Sequence, residues 1–260
     1  MFQGVVAVWP YHESKNRLNR LEFLLVSKIC EGGPSETRAV QWQKLWEVEL
    51  NQVKILLASR NKDKLKELVS CLQAINATIV TLDDVGGAPE VEEEGDTFEE
   101  NATHKAVEVA KATGVLTVAD DSGLVVDALG GAPGIRSSRY VGEDATDKEN
   151  NEKLLREMAN VPEGLRGARF VCSIAAADAE GLIGVVEGSC DGIITFEERG
   201  QHGFGYDPLF VKTGYSKTFA ELGPDIKNRV SHRFLAMQKA AILIERYLAE
   251  KKPKHKQQAS

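Results

Sequence analysis

Residues 53–72 have the sequence VKILLASRNKDKLKELVSCL, in which an apolar run is followed by a polar loop and then by an amphipathic pattern. The run at residues 53–58 is typical of a buried β-strand, and the apolar residues 65, 68, 69 and 72 recur at helical spacing. The loop that joins them, residues 59–64, is short and polar. A strand followed by a helix is the opening of an alternating α/β domain, so this stretch predicts the fold class.

The segments that follow continue the alternation and add an antiparallel part. Residues 77–82 and 115–119 are predicted strands, and the glycine-rich residues 130–134 are a predicted loop. Helices are predicted where a capping threonine precedes an acidic residue by three positions, near residue 97 and from Thr146 to about Met158, and again over residues 231–250. Residues 169–178 and 182–187 are a predicted antiparallel hairpin. We therefore expect an α/β fold with a mixed central β-sheet flanked by helices.

The 260-residue chain has three regions of different character. Residues 1–52 are predicted to be a separate N-terminal extension with two short strands and a helix, and no role is assigned to them. Residues 53–250 form the main domain, which is long enough to bury a substantial core. Residues 251–260 are basic and polar and are predicted to be a flexible tail.

Composition and charge narrow the class of protein. Hydrophobic residues are 42% and charged residues 27% of the chain, as in an ordinary globular protein. The net charge of -7 argues against nucleic-acid binding, which needs a basic surface. No secretory signal or membrane-length apolar run is present, and the cysteines lack paired spacing, so we expect a cytoplasmic protein without membrane or nucleic-acid partners. The cysteines are Cys30, Cys71, Cys172 and Cys190.

The loop Ser59–Lys64 is a candidate anion site, because the unpaired amides and the positive dipole end of the following helix attract anions. Ser59 and Asn61 would add hydrogen bonds, and Lys64 would add a positive charge. The same residue types are common in helix caps, so the loop by itself does not separate an anion site from an ordinary cap. The glycines of a P-loop are absent.

Two acidic segments are candidate metal sites. In Glu92-Glu93-Glu94 an extended backbone would turn Glu93 away from its neighbours, and a solvated acidic loop is the alternative. Asp120-Asp121 follows the apolar run 115–119, so we expect the pair at the end of a strand, where ligands bind in α/β sheets. One aspartate would then face the site and the other would cap a turn before Gly123. Carboxylate oxygens are ligands that suit Mg²⁺.

Two further segments are candidates for binding a flat, anionic ligand. Within Gly203–Pro208, Phe204 would stack on a base and Asp207 would accept its N–H groups. Lys227 and the run Ser231-His232-Arg233 supply cations and hydrogen-bond donors near the start of the last helix. Each segment alone also has a purely structural interpretation: the first as an aromatic turn that fills the core, the second as a solvated helix start.

Taken together and in order, these segments resemble the inosine triphosphate pyrophosphatase family, which hydrolyses noncanonical purine nucleotides such as XTP and ITP or dITP. The resemblance covers about residues 53–250 and is carried by Ser59-x-Asn61-x-x-Lys64, Glu93 with Thr97-Phe98-x-Glu100-Asn101-Ala102, Ala119-Asp120-Asp121-Ser122-Gly123-Leu124, Gly130-Gly131-Ala132-Pro133-Gly134, Phe204-Gly205-Tyr206-Asp207-Pro208 and Ser231-His232-Arg233. It implies a two-lobed fold, a homodimer, Mg²⁺ as cofactor and hydrolysis of a nucleoside triphosphate to the monophosphate and pyrophosphate.

The resemblance also implies a role for each matched residue. The catalytic residues would be Asp121 as general base and Lys64 and Lys105 as positive charges near the phosphates. Glu93 and Asp121 would hold Mg²⁺. The triphosphate would be bound by Ser59, Asn61 and Lys64, and the remaining substrate contacts would come from Ser122, Phe204, Gly205, Tyr206, Asp207, Lys227, Ser231, His232 and Arg233. Among these, Phe204 would stack on the purine, Asp207 and residues 231–233 would read its edge, and Lys227 would aid phosphate or base binding.

Two features depart from the family pattern. Arg60 stands where many relatives carry a small residue, so it would either strengthen phosphate binding or crowd the turn. Residues 1–52 have no counterpart in the family and lack a Nudix box, so no activity is assigned to them.

Two other functions are alternatives to the one that the resemblance implies. A related Maf-type pyrophosphatase is disfavoured by the motifs at residues 204–207 and 231–233. A catalytically silent nucleotide sensor is disfavoured because both predicted metal carboxylates are present.

Overall fold

The computed structural model describes residues 53–72 and 77–251 of the chain. The chain divides into two units after Asn51, and the described residues belong to the second. The strands and helix predicted within residues 1–52 lie outside the described residues. So does the tail predicted for residues 251–260, except for Lys251, which ends the last helix.

Within the described residues, six strands form one mixed sheet in the order β2-β1-β3-β4-β5-β6. The strands are β1 (Lys54–Leu57), β2 (Thr78–Thr81), β3 (Leu116–Val126), β4 (Gly167–Asp178), β5 (Gly181–Ile194) and β6 (Phe210–Lys212). β1 is parallel to both of its neighbours, β2 and β3, whereas β3 to β6 are antiparallel. The predicted mixed α/β sheet is therefore confirmed.

The helices begin where the sequence supplies a cap. They are α1 (Lys62–Leu72), α2 (Phe98–Thr113), α3 (Asp147–Glu157), α4 (Phe219–Leu222), α5 (Pro224–Val230) and α6 (His232–Lys251), with 3₁₀ turns at residues 127–129, 134–139 and 163–165. Thr97 and Thr146 each form a complete capping box with the glutamate three residues later, so the predicted starts of α2 and α3 are confirmed. None of the helices in residues 53–72 and 77–251 is long and apolar enough to cross a membrane.

Helices cover both faces of the sheet, and successive side chains of β1 contact them in turn. Ile55 and Leu57 belong to a buried cluster with α1 and α6, whereas Leu56 belongs to a cluster with α2 on the opposite face. A third cluster surrounds the far end of β3, at Leu124 and Val126, and packs against residues of α3 and β6. Two apolar lobes thus share the long strands, and the polar middle of β3 lies between them.

Two expectations about element boundaries and one about a helix face are wrong. β3 does not end at residue 119; it runs to Val126, because β4 supplies backbone partners along residues 117–126. The aspartates at 120 and 121 therefore lie in the middle of a strand and not at its end. β5 likewise runs to Ile194, well beyond the expected residue 187, because β6 and the start of β4 continue its pairing. On α1, Leu68 and Leu72 are buried but Val69 is 38% exposed, so the apolar face is narrower than expected.

Candidate active site

One cavity of about 350 Å³ lies over the middle of β3, between the two lobes. Each residue proposed from the sequence to bind substrate or metal lines this cavity, except Ser231. Ser231 is buried just before α6, where its hydroxyl accepts a hydrogen bond from the Phe234 amide at 3.2 Å, as a helix cap does. The fold thus brings together segments that are as much as 170 residues apart in the sequence.

The loop before α1 acts as a helix cap and also faces the cavity. The Oδ1 atom of Asn61 accepts hydrogen bonds from the amides of Asp63 at 2.9 Å and Lys64 at 3.0 Å. The Ser59 hydroxyl accepts a hydrogen bond from the Asn61 backbone amide at 3.3 Å, and Ser59, Asn61 and Lys64 all line the cavity. Lys64 lies 3.4 Å from Asp120 Oδ2 and is largely buried, so its charge is fixed at the cavity wall. The two alternative roles of this loop are therefore compatible.

Arg60 does not crowd this turn. No residue other than glycine has a positive φ in the described part of the chain, so the larger side chain causes no backbone strain here. The guanidinium lines the cavity, and its Nη2 atom lies 3.4 Å from the carbonyl oxygen of Ala88. It forms no ion pair with any carboxylate of residues 53–72 or 77–251. Arg60 thus adds a cation to the part of the cavity wall that the loop Ser59–Lys64 forms.

Asp121 is held by hydrogen bonds to both of its oxygens. Its Oδ2 atom accepts the side-chain amide of Asn101 at 3.0 Å, and its Oδ1 atom accepts the Ser122 backbone amide at 2.9 Å. Burial raises the pKa of Asp121 to about 6, against the opposing effect of Lys64 and with a further upward contribution from the Glu93 carboxylate. Asp121 is thus an oriented carboxylate on the cavity wall with a second carboxylate nearby.

Glu93 faces the cavity while Glu92 and Glu94 are exposed, as expected for an extended backbone. Its carboxylate accepts a hydrogen bond from Lys105 and lies 3.7 Å from Arg139 Nη1. Burial acts to raise the pKa of Glu93, but Lys105, Lys64 and Arg139 together outweigh it, so the pKa lies below the ordinary value. Glu93 is therefore ionised at neutral pH, and α2 carries a cation beside it.

Residues 203–207, called here the aromatic loop, contribute Phe204, Gly205, Tyr206 and Asp207 to the cavity wall. The buried Asp207 carboxylate accepts the Phe204 amide at 3.0 Å and also pairs with the Lys227 ammonium. That ammonium lies 4.5 Å from the centre of the Phe204 ring, and the guanidinium carbon of Arg233 lies 5.7 Å from it. Lys227 therefore lies beside the aromatic loop and not in the loop Ser59–Lys64.

His232 contributes a neutral ring to the cavity wall. It is buried and stacked on Phe170, with ring centres 4.7 Å apart and planes within 10°. Burial, aided by the charge of Arg233, lowers the pKa of His232 well below its ordinary value. Its Nδ1 atom has no hydrogen-bond partner among the described residues. A buried polar atom without a partner is costly, so this ring is suited to a ligand that supplies one.

Arg233 links the two ends of the cavity through buried ion pairs. Its guanidinium pairs with Asp120 at 3.2 Å and with Glu67, and donates to the Ser122 hydroxyl at 2.7 Å. Glu67 also pairs with Lys227 at 2.8 Å. Burial opposes ionisation of Asp120, but Lys64 and Arg233 hold its pKa below the ordinary value. The expectation that one aspartate of the pair caps a turn is wrong: β3 continues there, and Asp120 is an ion-pair partner on its opposite face.

Several residues of the site were not predicted from the sequence. Glu67 lies one turn after Lys64 on α1, so helical spacing places it on the same face, but its partners Lys227 and Arg233 are more than 150 residues away. Other polar residues that line the cavity or contact its carboxylates, and to which the sequence assigned no role, include Asn101, Arg139, Asp147 and Asn150. Asn101 belongs to a recognised motif, but nothing in the local sequence distinguishes the other three from surface residues.

The donor set suits a hard divalent cation. Glu93 and Asp121 both line the cavity, and the Glu93 carboxylate raises the pKa of Asp121, so a shared cation would relieve their repulsion. No group of three or more His, Cys, Asp or Glu side chains arranged to hold a metal occurs in the described ranges. Two carboxylates, completed by phosphate oxygens and water, are a typical Mg²⁺ environment. The residues present therefore fit the cation that the sequence resemblance implies.

Comparison with known proteins identifies the family. Residues 55–242 match the Ham1 family. The dITP/XTP pyrophosphatase of Desulforamulus reducens is 48% identical over 194 residues, which are 75% of this chain and 96% of that protein. A HAM1 protein from Coxiella burnetii superimposes with a TM-score of 0.68 at 38% identity, covering 75% of this chain and 100% of that one. The nucleoside-triphosphatase / dITP/XTP pyrophosphatase of Mycobacterium abscessus has a TM-score of 0.60 at 45% identity, over 73% and 97%. The chain belongs to the Ham1 family.

Proposed function

We propose that this protein is a nucleoside triphosphate pyrophosphatase that hydrolyses noncanonical purine nucleotides, dITP or ITP and XTP or dXTP, to the monophosphate and pyrophosphate. Such an enzyme would remove these nucleotides from the nucleotide pool. The observation that carries the proposal is a single cavity whose wall contains the loop Ser59–Lys64, the carboxylates Glu93 and Asp121, and an aromatic loop with buried donors. Relatives named dITP/XTP pyrophosphatase support the same activity.

The phosphate end supplies positive charge and an oriented base. Ser59, Asn61 and Lys64 would hold the triphosphate at the positive end of α1. Glu93 and Asp121 would hold Mg²⁺, which when bound neutralises phosphate charge and polarises phosphorus–oxygen bonds. The carboxylate of Asp121 is fixed by Asn101 and by the Ser122 amide, so that it would present an acceptor to an attacking water in one orientation.

Hydrolysis follows from these placements. The water oxygen forms a bond to the α-phosphorus while its proton passes to Asp121, and the bond from that phosphorus to the bridging oxygen breaks. The electron pair of the broken bond leaves with pyrophosphate. Lys64 and Lys105 stabilise the negative charge that develops there, and burial of both side chains makes this interaction stronger than it would be in water.

The opposite end would select a purine with an oxygen at position 6. Phe204 offers its face to the base, and Arg233 and Lys227 supply buried donors beside that ring. An adenine would present its 6-amino group, which is a donor, to these donors in place of an oxygen acceptor. Donors that face a donor in a buried site are costly, so this end disfavours adenine nucleotides.

We also propose a cytoplasmic homodimer. The family resemblance is one support, and a patch of exposed apolar residues is another. Ile193 pairs with Gly167 at the start of β4, Phe196 lies over the Arg166 guanidinium at 4.1 Å, and Leu165 is adjacent in the chain. Ile193, Phe196 and Leu165 are 45%, 61% and 65% exposed. Such a patch is suited to burial against a second copy of the chain.

A substrate panel tests the proposed activity. We expect pyrophosphate release from dITP and XTP with a kcat/KM at least about 100-fold above that for dATP, because adenine places an amino group where the site presents buried donors. Chelation of Mg²⁺ should abolish the reaction, and the measured product should be pyrophosphate and not three orthophosphates. Equal turnover of dATP and dITP would contradict purine discrimination. A preference for dTTP would indicate a Maf-type enzyme, and tight dITP binding without turnover would indicate a sensor.

A further inference from the structure

The first turns of α3 lie against the aromatic loop, residues 203–207. The Oδ2 atom of Asp147 accepts a hydrogen bond from the Gly205 amide at 2.6 Å. One turn further along, the side-chain amide of Asn151 donates to the Gly205 carbonyl oxygen at 3.1 Å. Both backbone groups of the same glycine are therefore bound by one helix, and Gly205 follows directly after Phe204.

The conformation of Gly205 explains why this contact matters. Its φ is +59°, in the left-handed region, although a Cβ atom there would meet nothing within 4 Å. The glycine is therefore required for the backbone angle and not for space. A flexible residue next to Phe204 gives the ring many alternative positions, and ordering it costs conformational entropy. Two hydrogen bonds from α3 remove most of that freedom before any ligand binds.

The rest of the loop is anchored to other elements. The Tyr206 hydroxyl donates to the Ser137 carbonyl oxygen at 2.8 Å, and the Phe204 amide donates to Asp207. Tyr206 and Asp207 are buried, and so is Asn151, whereas Asp147 is an exposed residue on the cavity wall. Among these anchors, those of α3 are the ones that bind the glycine itself.

We propose that Asp147 and Asn151 are positioning residues that hold Gly205 and thereby preset the Phe204 ring for stacking on the purine. This inference rests on the proposed function. The two side chains would act through Phe204 and would take no part in proton transfer or phosphate binding. Their loss would therefore weaken substrate binding while leaving the chemical step intact once the substrate is bound.

The kinetic test is a double-mutant cycle. Asp147→Ala should raise the KM for dITP about fivefold to tenfold, as expected when a hydrogen bond to a charged acceptor is lost, with kcat changed less than about twofold. Asp147→Asn keeps an oxygen acceptor for the Gly205 amide and should restore most of the affinity. In a Phe204→Ala background, Asp147→Ala should have almost no further effect, because the ring through which it acts is gone. An equal rise in KM in both backgrounds, or no rise in either, would overturn the proposal.

Two controls separate the positioning of Gly205 by α3 from general destabilisation and from failure of the proposed activity. Glu152→Ala changes an exposed carboxylate on the same helix, one that pairs only with surface Lys148 and Arg156 among the described residues, and it should leave KM unchanged. Deuterium uptake by a peptide spanning residues 203–207 should rise in Asp147→Ala and not in Glu152→Ala. This second measurement needs no substrate, so it tests the positioning of Gly205 even if dITP is not hydrolysed. Unchanged uptake in Asp147→Ala would contradict the proposal that α3 holds Gly205.

Discussion

At the scale of single residues, the adjacent aspartates of β3 show how one strand serves two tasks. Successive side chains of a strand point to opposite faces, so Asp121 faces Asn101 of α2 while Asp120 faces Arg233 of α6. Asp120 is neutralised by cations and is fixed, whereas Asp121 lines the cavity. The doublet thus combines a buried ion-pair partner with the carboxylate that we propose as the general base.

Arg60 is the residue whose role the structure sharpens most, and its removal is expected to weaken triphosphate binding. Arg60→Ala should raise the KM for dITP about threefold to tenfold with little change in kcat, because a charge-assisted contact to phosphate is lost at a partly hydrated site. The matched control is Lys62→Ala, which removes a cation from the same segment that does not line the cavity. The measurement is steady-state kinetics at low and at high salt, and the Arg60 effect should shrink at high salt. Equal effects of the two substitutions would mean that only net charge matters.

The sequence was a better guide to which residues form the site than to the contacts that those residues make. Phe204, Asp121 and Lys64 belong to short motifs whose residues are recognisable in order, and the structure places them around one cavity. Glu67 belongs to no motif and has the composition of any helix surface. Its importance lies in contacts with Lys227 and Arg233, which depend on how α1 packs near α5 and α6. Local patterns carry no information about such contacts.

At the scale of elements, the position of α6 on the sheet depends on a glycine of β5. A Cβ atom on Gly188 would lie 2.3 Å from the Ala236 amide nitrogen and 2.4 Å from the His232 carbonyl oxygen. Those are backbone atoms of the helix, so α6 could accept a side chain only by moving. His232 and Arg233 would move with it, since both lie in the first turn of α6.

Gly188→Ala is therefore expected to reduce both stability and activity. Overpacking should lower the free energy of unfolding by about 1–3 kcal/mol, and displacement of Arg233 should reduce kcat/KM for dITP. Gly164→Ala is the matched control, because a Cβ atom there meets nothing within 4 Å and the backbone is not left-handed. Denaturant unfolding and steady-state kinetics on the two variants give the comparison. A Gly188→Ala protein of unchanged stability and activity would contradict the close approach of α6.

Element boundaries show where sequence reasoning stopped. The starts of α2 and α3 could be predicted because a capping box is a local interaction between Thr97 and Glu100 or between Thr146 and Glu149. The end of β3 could not, because polar side chains at 120–122 suggest a loop while the backbone pairing that extends the strand comes from β4. A strand continues as long as its neighbour does, and the neighbour is about 50 residues away in the chain.

At the scale of the whole molecule, the site is a polar layer between two apolar lobes. The ion pairs of Asp120, Arg233, Glu67 and Lys227 are buried where β3, α1, α5 and α6 meet. Burying charges is unfavourable unless each finds partners with good geometry. Here every charge has at least one partner of opposite sign, so the layer joins the lobes and fixes the relative placement of the proposed phosphate and purine ends.

This organisation predicts that residues 1–52 are dispensable for catalysis. The proposed catalytic, metal-binding and substrate-binding residues all lie between residues 59 and 233, and the relative from Desulforamulus reducens is matched over 96% of its length by 75% of this chain. A protein beginning at Val53 should therefore hydrolyse dITP with a kcat/KM within about twofold of the full chain, as expected if the domain has its own core. The measurement is kinetics on both proteins at matched concentrations, with the unfolding midpoint as control for folding. A truncated protein that keeps its unfolding midpoint but loses activity would show that the N-terminal region contributes to the reaction.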